Sequence, residues 1–345
     1  MANLPRELIV DILSRLPVKS LCRFKCVSKP WRSLISDPDF VKTHLHRAEF
    51  KRLILASPNS HYSVDHETPF ENDVVAVQLD VPLKQIIEDP QPHWSGIIGS
   101  SNGLVCIMPQ PNTFFALNPA THESARIPDF ITRPDLDPNE IHSYGFGYAS
   151  SIDDYKLVKA AHGNHVAVFS FRTGAWKLVE GFHYEEPGDI FLPLPPGTPL
   201  NGSIHWAFNL RDGGAFVVAA FDLVKETFRD YPVPEPAVAG FSIGVLREKL
   251  CLMHCADGQG RRYFWVMKEY GVKESWTKIF VVEPCFVFRP LCLWKNCKIL
   301  MVRDGKELVL CNPKDGTCKN FEVDGIPDSF YADVYVESLV SPNFQ

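Results

Sequence analysis

The chain has little that would mark a membrane protein, a secreted protein or a common enzyme. Its longest apolar run, Ala215–Phe221, spans seven residues, far short of the ~20 a membrane-crossing helix requires. The opening MANLPRELIVDILSRLP sets charges inside its apolar stretch, which excludes a secretory signal core. No G-x-S-x-G elbow, Walker-type phosphate loop, G-x-G-x-x-G turn or H-E-x-x-H helix occurs. Ten cysteines are present, none in a C-x-x-C pair. Cys22/Cys26, Cys251/Cys255, Cys292/Cys297 and Cys311/Cys318 therefore lack the repeated spacing of structural zinc. They read as reduced thiols of a protein of the cytoplasm and/or nucleus, and no metal or cofactor is expected. Basic residues are in the minority, 35 against 41 acidic, for a net charge of −6. A general nucleic-acid-binding surface is thereby disfavoured.

What charge there is divides unevenly. Residues 1–48 carry +5, which leaves −11 for residues 49–345. Two modules with different partners would produce such a split, as would solvated helix faces.

The first module reads as helical. Leu4, Leu8, Ile12 and Leu16 recur every fourth residue, and Ile9 and Leu13 widen the stripe. Pro5 fits a helix start, and Pro17 ends the helix by pushing its predecessor out of the α region. Leu21, Phe24 and Val27 line a second helix. Ser28 caps a third that carries Trp31, Leu34 and Ile35. Asp37-Pro38 opens a fourth. Some forty residues cannot bury a dozen large apolar side chains unaided. Surplus apolar surface with positive charge predicts docking on an acidic protein; a helix-turn-helix DNA binder or a plain helical cap is the alternative.

The stretch LPRELIVDILSRLPVKSLCRFKCVSKPWRSLISDPDF resembles an F-box of the plant type, through Leu4-Pro5, Ile9, Leu13, Leu16-Pro17, the run VKSLCRFKCVSKPWRSLI and the closing DPDF. The resemblance implies binding to the Skp-family adaptor of SCF ubiquitin ligases and, through it, to cullin and RING subunits. It carries over Leu4, Pro5, Leu16, Pro17, Leu21, Val27 and Trp31 as adaptor contacts.

From about residue 51 the pattern changes to short apolar runs separated by turn signals, which predicts an all-β sandwich, barrel or propeller. The segments FFALNPATHESARIP, VAVFSFRTGAWKLVEG, VVAAFDLVKETFRDYPVP, YFWVMKEYGVKESWTKIF and ELVLCNPKDGTCKNFEV each read as strand, polar turn, strand. Their anchors Leu117, Phe171, Phe221, Val266 and Leu310 lie 54, 50, 45 and 44 residues apart, about one four-stranded propeller blade per repeat. Another strand pair precedes each hairpin, giving five blades. KRLILAS, VVAVQLD and the terminal YADVYVESLV are left over; pairing them closes a sixth blade and removes bare edges. The expected organisation is a helical module over 1–48, linker and first propeller strands over 49–94, and a propeller over 95–342.

The second half resembles the F-box-associated, kelch-like domain of plant F-box proteins, in GSSNGLVCI, LNPAT, YGFGYASSIDDYKLVK, GSIHWAF, FDLVKETF, KEYGVKESWTKIF and YVESLVSP. Relatives implied by the resemblance include regulators of immune-receptor turnover and S-locus proteins. The expected function is a non-catalytic receptor whose propeller presents a target protein for ubiquitination and proteasomal degradation. A non-degradative scaffold and a propeller enzyme are the alternatives. Recognition is expected on two separate rims. One carries His162, His165, Arg211, Arg261 and Arg262; the other carries acids including Glu185 and Glu186 in the long loop HYEEPGDIFLPLPPGTP. Asp153-Asp154 reads as a local turn and His205 as a packing histidine.

Overall fold

The computed structural model describes residues 5–48, 51–57, 60–65, 74–79, 96–130, 142–161, 164–185, 195–210, 216–234, 239–255, 261–282, 288–294 and 297–343. Four short helices come first: α1 (Arg6–Leu13), α2 (Val18–Phe24), α3 (Lys29–Ile35) and α4 (Pro38–His46). Pro5 and Pro17 occupy the N-cap positions of α1 and α2. The Ser28 hydroxyl accepts from the Trp31 backbone N–H at 3.4 Å, and the Asp37 carboxylate accepts from Asp39 and Phe40 at 3.0 and 3.3 Å. Those side chains satisfy donors that a helix start leaves orphaned. Leu13, Val18, Leu21, Ile35 and Phe40 form the helical core, and Leu339, near the far end of the chain, joins them.

Six sheets follow, arranged as the blades of a propeller. Blade 1 holds Gly96–Ser101, Leu104–Gln110, Thr113–Asn118 and Glu123–Ile127. Blade 2 holds His142–Ala149, Asp154–Ala161, Asn164–Ser170 and Ala175–Phe182. Blade 4 runs Ala239–Leu246, Lys249–Cys255, Arg262–Met267 and Trp276–Val282; blade 5 runs Phe288–Leu293, Ile299–Arg303, Glu307–Cys311 and Cys318–Asn320. In blade 3 the inner position is shared. Tyr184–Glu185 and Thr198–Leu200 both pair with Ser203–Leu210, followed by Phe216–Asp222 and Thr227–Pro232. The long loop therefore starts and ends as strand, which its Pro and Gly content concealed. Its residues 186–194 lie outside the described ones.

Both ends of the array build blade 6. Tyr331–Val336 is the inner strand, and Lys51–Ser57, Ser60–Val64 and Ala76–Leu79 complete it, with Leu53 opposite both Val334 and Val64. The terminal strand stops at Val336, not Val340, and Ser60–Val64 had no counterpart in the sequence reading because SHYSV carries few apolar residues. Each apolar cluster of the propeller is shared by neighbouring blades. Ile54, Ala56 and Tyr335 of blade 6 pack with Ile97, Val105 and Phe115 of blade 1, so the ring closes on a continuous core.

Glycines let the inner strands converge. A Cβ on Gly244 would lie 2.5 Å from Pro290 Cγ of blade 5, and one on Gly197 would strike Ile204 and Trp206. Gly197 instead donates its N–H to the Tyr144 carbonyl of blade 2 at 2.7 Å. The cysteines depart from expectation at one place. Cys311 and Cys318 stand directly opposite across the outer strands of blade 5, Cα atoms 4.1 Å apart, and their sulfurs are bonded. Register, not sequence spacing, brings them together.

Candidate docking surface

Helix α1 has two apolar stripes with different fates. Leu13 is buried, with Ile9 and Val10 packed against the core, whereas Leu8 and Ile12 are 50% and 52% exposed. Val27, at the end of the second helical segment, is 66% exposed. Pro5 and Pro17 are also exposed. A small module with a finished core thus shows three large aliphatic side chains to solvent, a pattern that marks an interaction site when they cluster.

The remaining expected contact residues divide by burial. Leu21 is 0% exposed and belongs to the helical core, so it presents nothing to a partner. Leu16 and Trp31 are half-buried. The Trp31 ring packs edge-on against Phe24 at 5.3 Å, and the Leu16 carbonyl lies 2.9 Å from His44 Nε2. Leu4 lies outside the described residues. Leu8 and Ile12 were missing from the expected set although they share its four-residue repeat. Periodicity marks both stripes of α1 alike and does not say which one the module's own core takes.

The same module carries exposed positive charge. Lys19, Arg23, Lys29 and Arg32 are exposed and form no ion pair among the described residues. Asp11 is already neutralised: Arg47 Nη1 reaches it at 2.8 Å and Arg15 Nη2 at 3.2 Å. Hydrogen bonds from Arg15 and Arg47 hold its carboxyl below the usual range. The module thus combines exposed aliphatic side chains with exposed basic ones, a composition suited to an acidic protein.

The rim loops fall differently from expectation. Successive strands of each blade are antiparallel, so turns 2–3 and the blade-to-blade connections share one rim, while turns 1–2 and 3–4 share the other. The basic and acidic sets, expected on opposite rims, both leave strand ends on the same one. The helices sit against the other rim, where Lys42 Nζ meets Asp153 of the blade 2 turn at 2.6 Å. Hydrogen bonds from Lys42 and from the Tyr148 hydroxyl hold Asp153 below its ordinary value. Arg262 is 5% exposed as the first residue of a strand and not a loop residue. Arg261 and His165 are half-buried. His162, Glu186 and Arg211, and the side chain of Glu185, lie outside the described residues.

An axial channel of about 680 Å³ runs between the inner strands, lined by Ser101, Thr198, Arg289 and Asp333 among others. Two of its polar groups hold blades together. Arg289 donates to the Ala332 carbonyl at 3.2 Å, and the Thr198 hydroxyl to the Ile243 carbonyl at 3.3 Å. His205 bridges the Thr198 carbonyl and the Tyr270 hydroxyl from full burial.

Residues 1–43 match the F-box domain, and residues 52–342 match the F-box associated beta propeller domain. This chain belongs to the F-box proteins with that propeller. It is 32% identical to the F-box protein CPR1 of Arabidopsis thaliana over 99% of this chain and 89% of that one. It is 28% identical to the Arabidopsis F-box/kelch-repeat protein At3g23880 over 99% and 96%, and 30% identical to F-box protein At4g22390 over 99% and 90%. The four helices are thus an F-box. Their exposed stripe lies on the F-box, and the rim opposite the F-box gathers the long connections.

Proposed function

We propose that this F-box protein is the substrate-receptor subunit of an SCF-type ubiquitin ligase. Leu8, Ile12 and Val27 seat the F-box on an acidic Skp-family adaptor, which brings cullin and RING subunits. The propeller holds a target protein on the rim opposite the F-box, acting in the cytoplasm and/or nucleus. No residue of this chain makes or breaks a bond. The gain is proximity: tethering raises the effective concentration of target lysines around the ubiquitin thioester. The observation that carries this reading is aliphatic exposure in a module whose core is complete without those side chains. Each is already partly covered, so burying the remainder contributes on the order of 1 kcal/mol or somewhat more.

Reconstitution from purified adaptor, cullin and RING subunits tests it. The wild-type chain is expected to co-elute with the complex. Leu8→Asp with Ile12→Asp is expected to run free while keeping its fold, because neither side chain belongs to the helical core. Co-elution of that double variant at wild-type level would overturn the reading.

A further inference from the structure

The segment after the ring-closing strand does two jobs at once. Residues 337–341 run between the F-box and the propeller, and their side chains alternate as in an extended strand. Ser338 is fully buried on the propeller side. Its hydroxyl donates to the Asn102 carbonyl at 2.7 Å, and its carbonyl accepts from Asn118 Nδ2 at 3.0 Å. Val340 packs against the core shared by blades 1 and 2, and its carbonyl takes the second Asn118 Nδ2 bond at 2.7 Å. Leu339, between them, is 5% exposed and enters the F-box core beside Leu13, Leu21 and Phe40. Both ends are pinned: Glu337 pairs with Arg52 at 2.5 Å, and the Ser341 hydroxyl donates to Glu123 at 2.7 Å.

We propose that Leu339 is a positioning residue for adaptor docking. The closed propeller lends the F-box a core side chain, and the fixed backbone of residues 337–341 sets where the docking stripe points relative to the target rim. Asn118 is the latch. Its amide holds the two carbonyls flanking Leu339, while its Oδ1 accepts from the Ala120 and Thr121 N–H groups at 2.9 and 3.2 Å. Ala120 itself packs against the F-box core. Gly103 makes room: at φ +87° it is in the left-handed region, and a Cβ there would collide with the Ser338 side chain. Folding of the F-box is thereby coupled to closure of a ring whose last strand is made some 290 residues later. The docking half of this inference rests on the proposed function; the folding half does not.

Hydrogen exchange on the full chain separates the two. In Leu339→Ser and, independently, in Asn118→Ala, amides of α2 and α4 are expected to exchange roughly tenfold faster or more. Amides of Ser203–Leu210 in blade 3 should be unchanged, and Leu339→Met should restore protection. Adaptor affinity should fall in step with the lost protection. Unchanged α2 and α4 amides in both variants would overturn the coupling, as would equal acceleration in blade 3, which would mean a general loss of stability. A wild-type chain that fails to bind adaptor would remove the docking half and leave the exchange result standing.

Discussion

Gly244 and Gly197 show how single residues set the geometry of the ring. Each sits where inner strands of adjacent blades converge, and neither needs a left-handed backbone, so the constraint is space. Alanine at Gly244 pushes against Pro290 of the next blade and alanine at Gly197 displaces Ile204 and Trp206 of its own blade; each is expected to cost about 1–3 kcal/mol, read as a lower urea midpoint. A midpoint equal to wild type would show that the blades can give way. Histidine burial makes a second claim at this scale. Burial pushes His61 and His205 down to about 4, from an ordinary value of 6.5. The folded state holds both neutral. Their contribution is complete above pH 6.5 and is lost as pH falls toward 4. Between neutrality and pH 5 each is expected to remove on the order of 2 kcal/mol. Urea midpoints measured across that range check the sign, and a flat profile would contradict it. His205 reads from the sequence as a packing histidine, but its depth of burial and the space limit at the glycines do not. A glycine in a strand and a histidine beside a tryptophan look the same whether or not another blade lies against them.

At the scale of elements, the helix boundaries were legible because they rest on local chemistry. Ser28 and Asp37 were recognisable as caps from residue type and the following proline, and both accept the bonds a cap should. Replacing Asp37 with Ala is expected to lower the F-box's stability by about 1 kcal/mol; circular dichroism melts should show the loss, and an unchanged melt would mean Pro38 alone starts α4. The strand hairpins were legible for the same reason, since a polar turn between alternating runs is a local signal. What a helix does with its faces was not. Leu21 and Val27 both read as docking residues, yet one has no exposed surface and the other has most of its own. The choice between core and partner is made by three-dimensional packing, to which Leu339 contributes from the opposite end of the chain.

At the scale of the molecule, the repeat spacing carried the blade count, and the need to hide edge strands carried the closure. Strand parity decides where the loops emerge. In an antiparallel four-stranded blade the 2–3 turns and the links to the next blade must emerge together, so a single rim gathers both the basic and the acidic segments. The F-box occupies the other rim through Lys42, Ala120 and Leu339. On the proposed reading, a target held on the gathered rim lies across the propeller from the F-box. Arg262 was assigned to that rim but is committed to a strand. The proposed receptor role requires the exposed aliphatic side chains of the F-box to be covered by an adaptor. Isothermal titration of the full chain with purified Skp-family adaptor at several temperatures tests this most directly. Burial of Leu8, Ile12 and Val27 predicts a negative heat-capacity change that shrinks, along with affinity, in Ile12→Asp with Val27→Asp. A heat-capacity change near zero, or one that this variant leaves untouched, would contradict it.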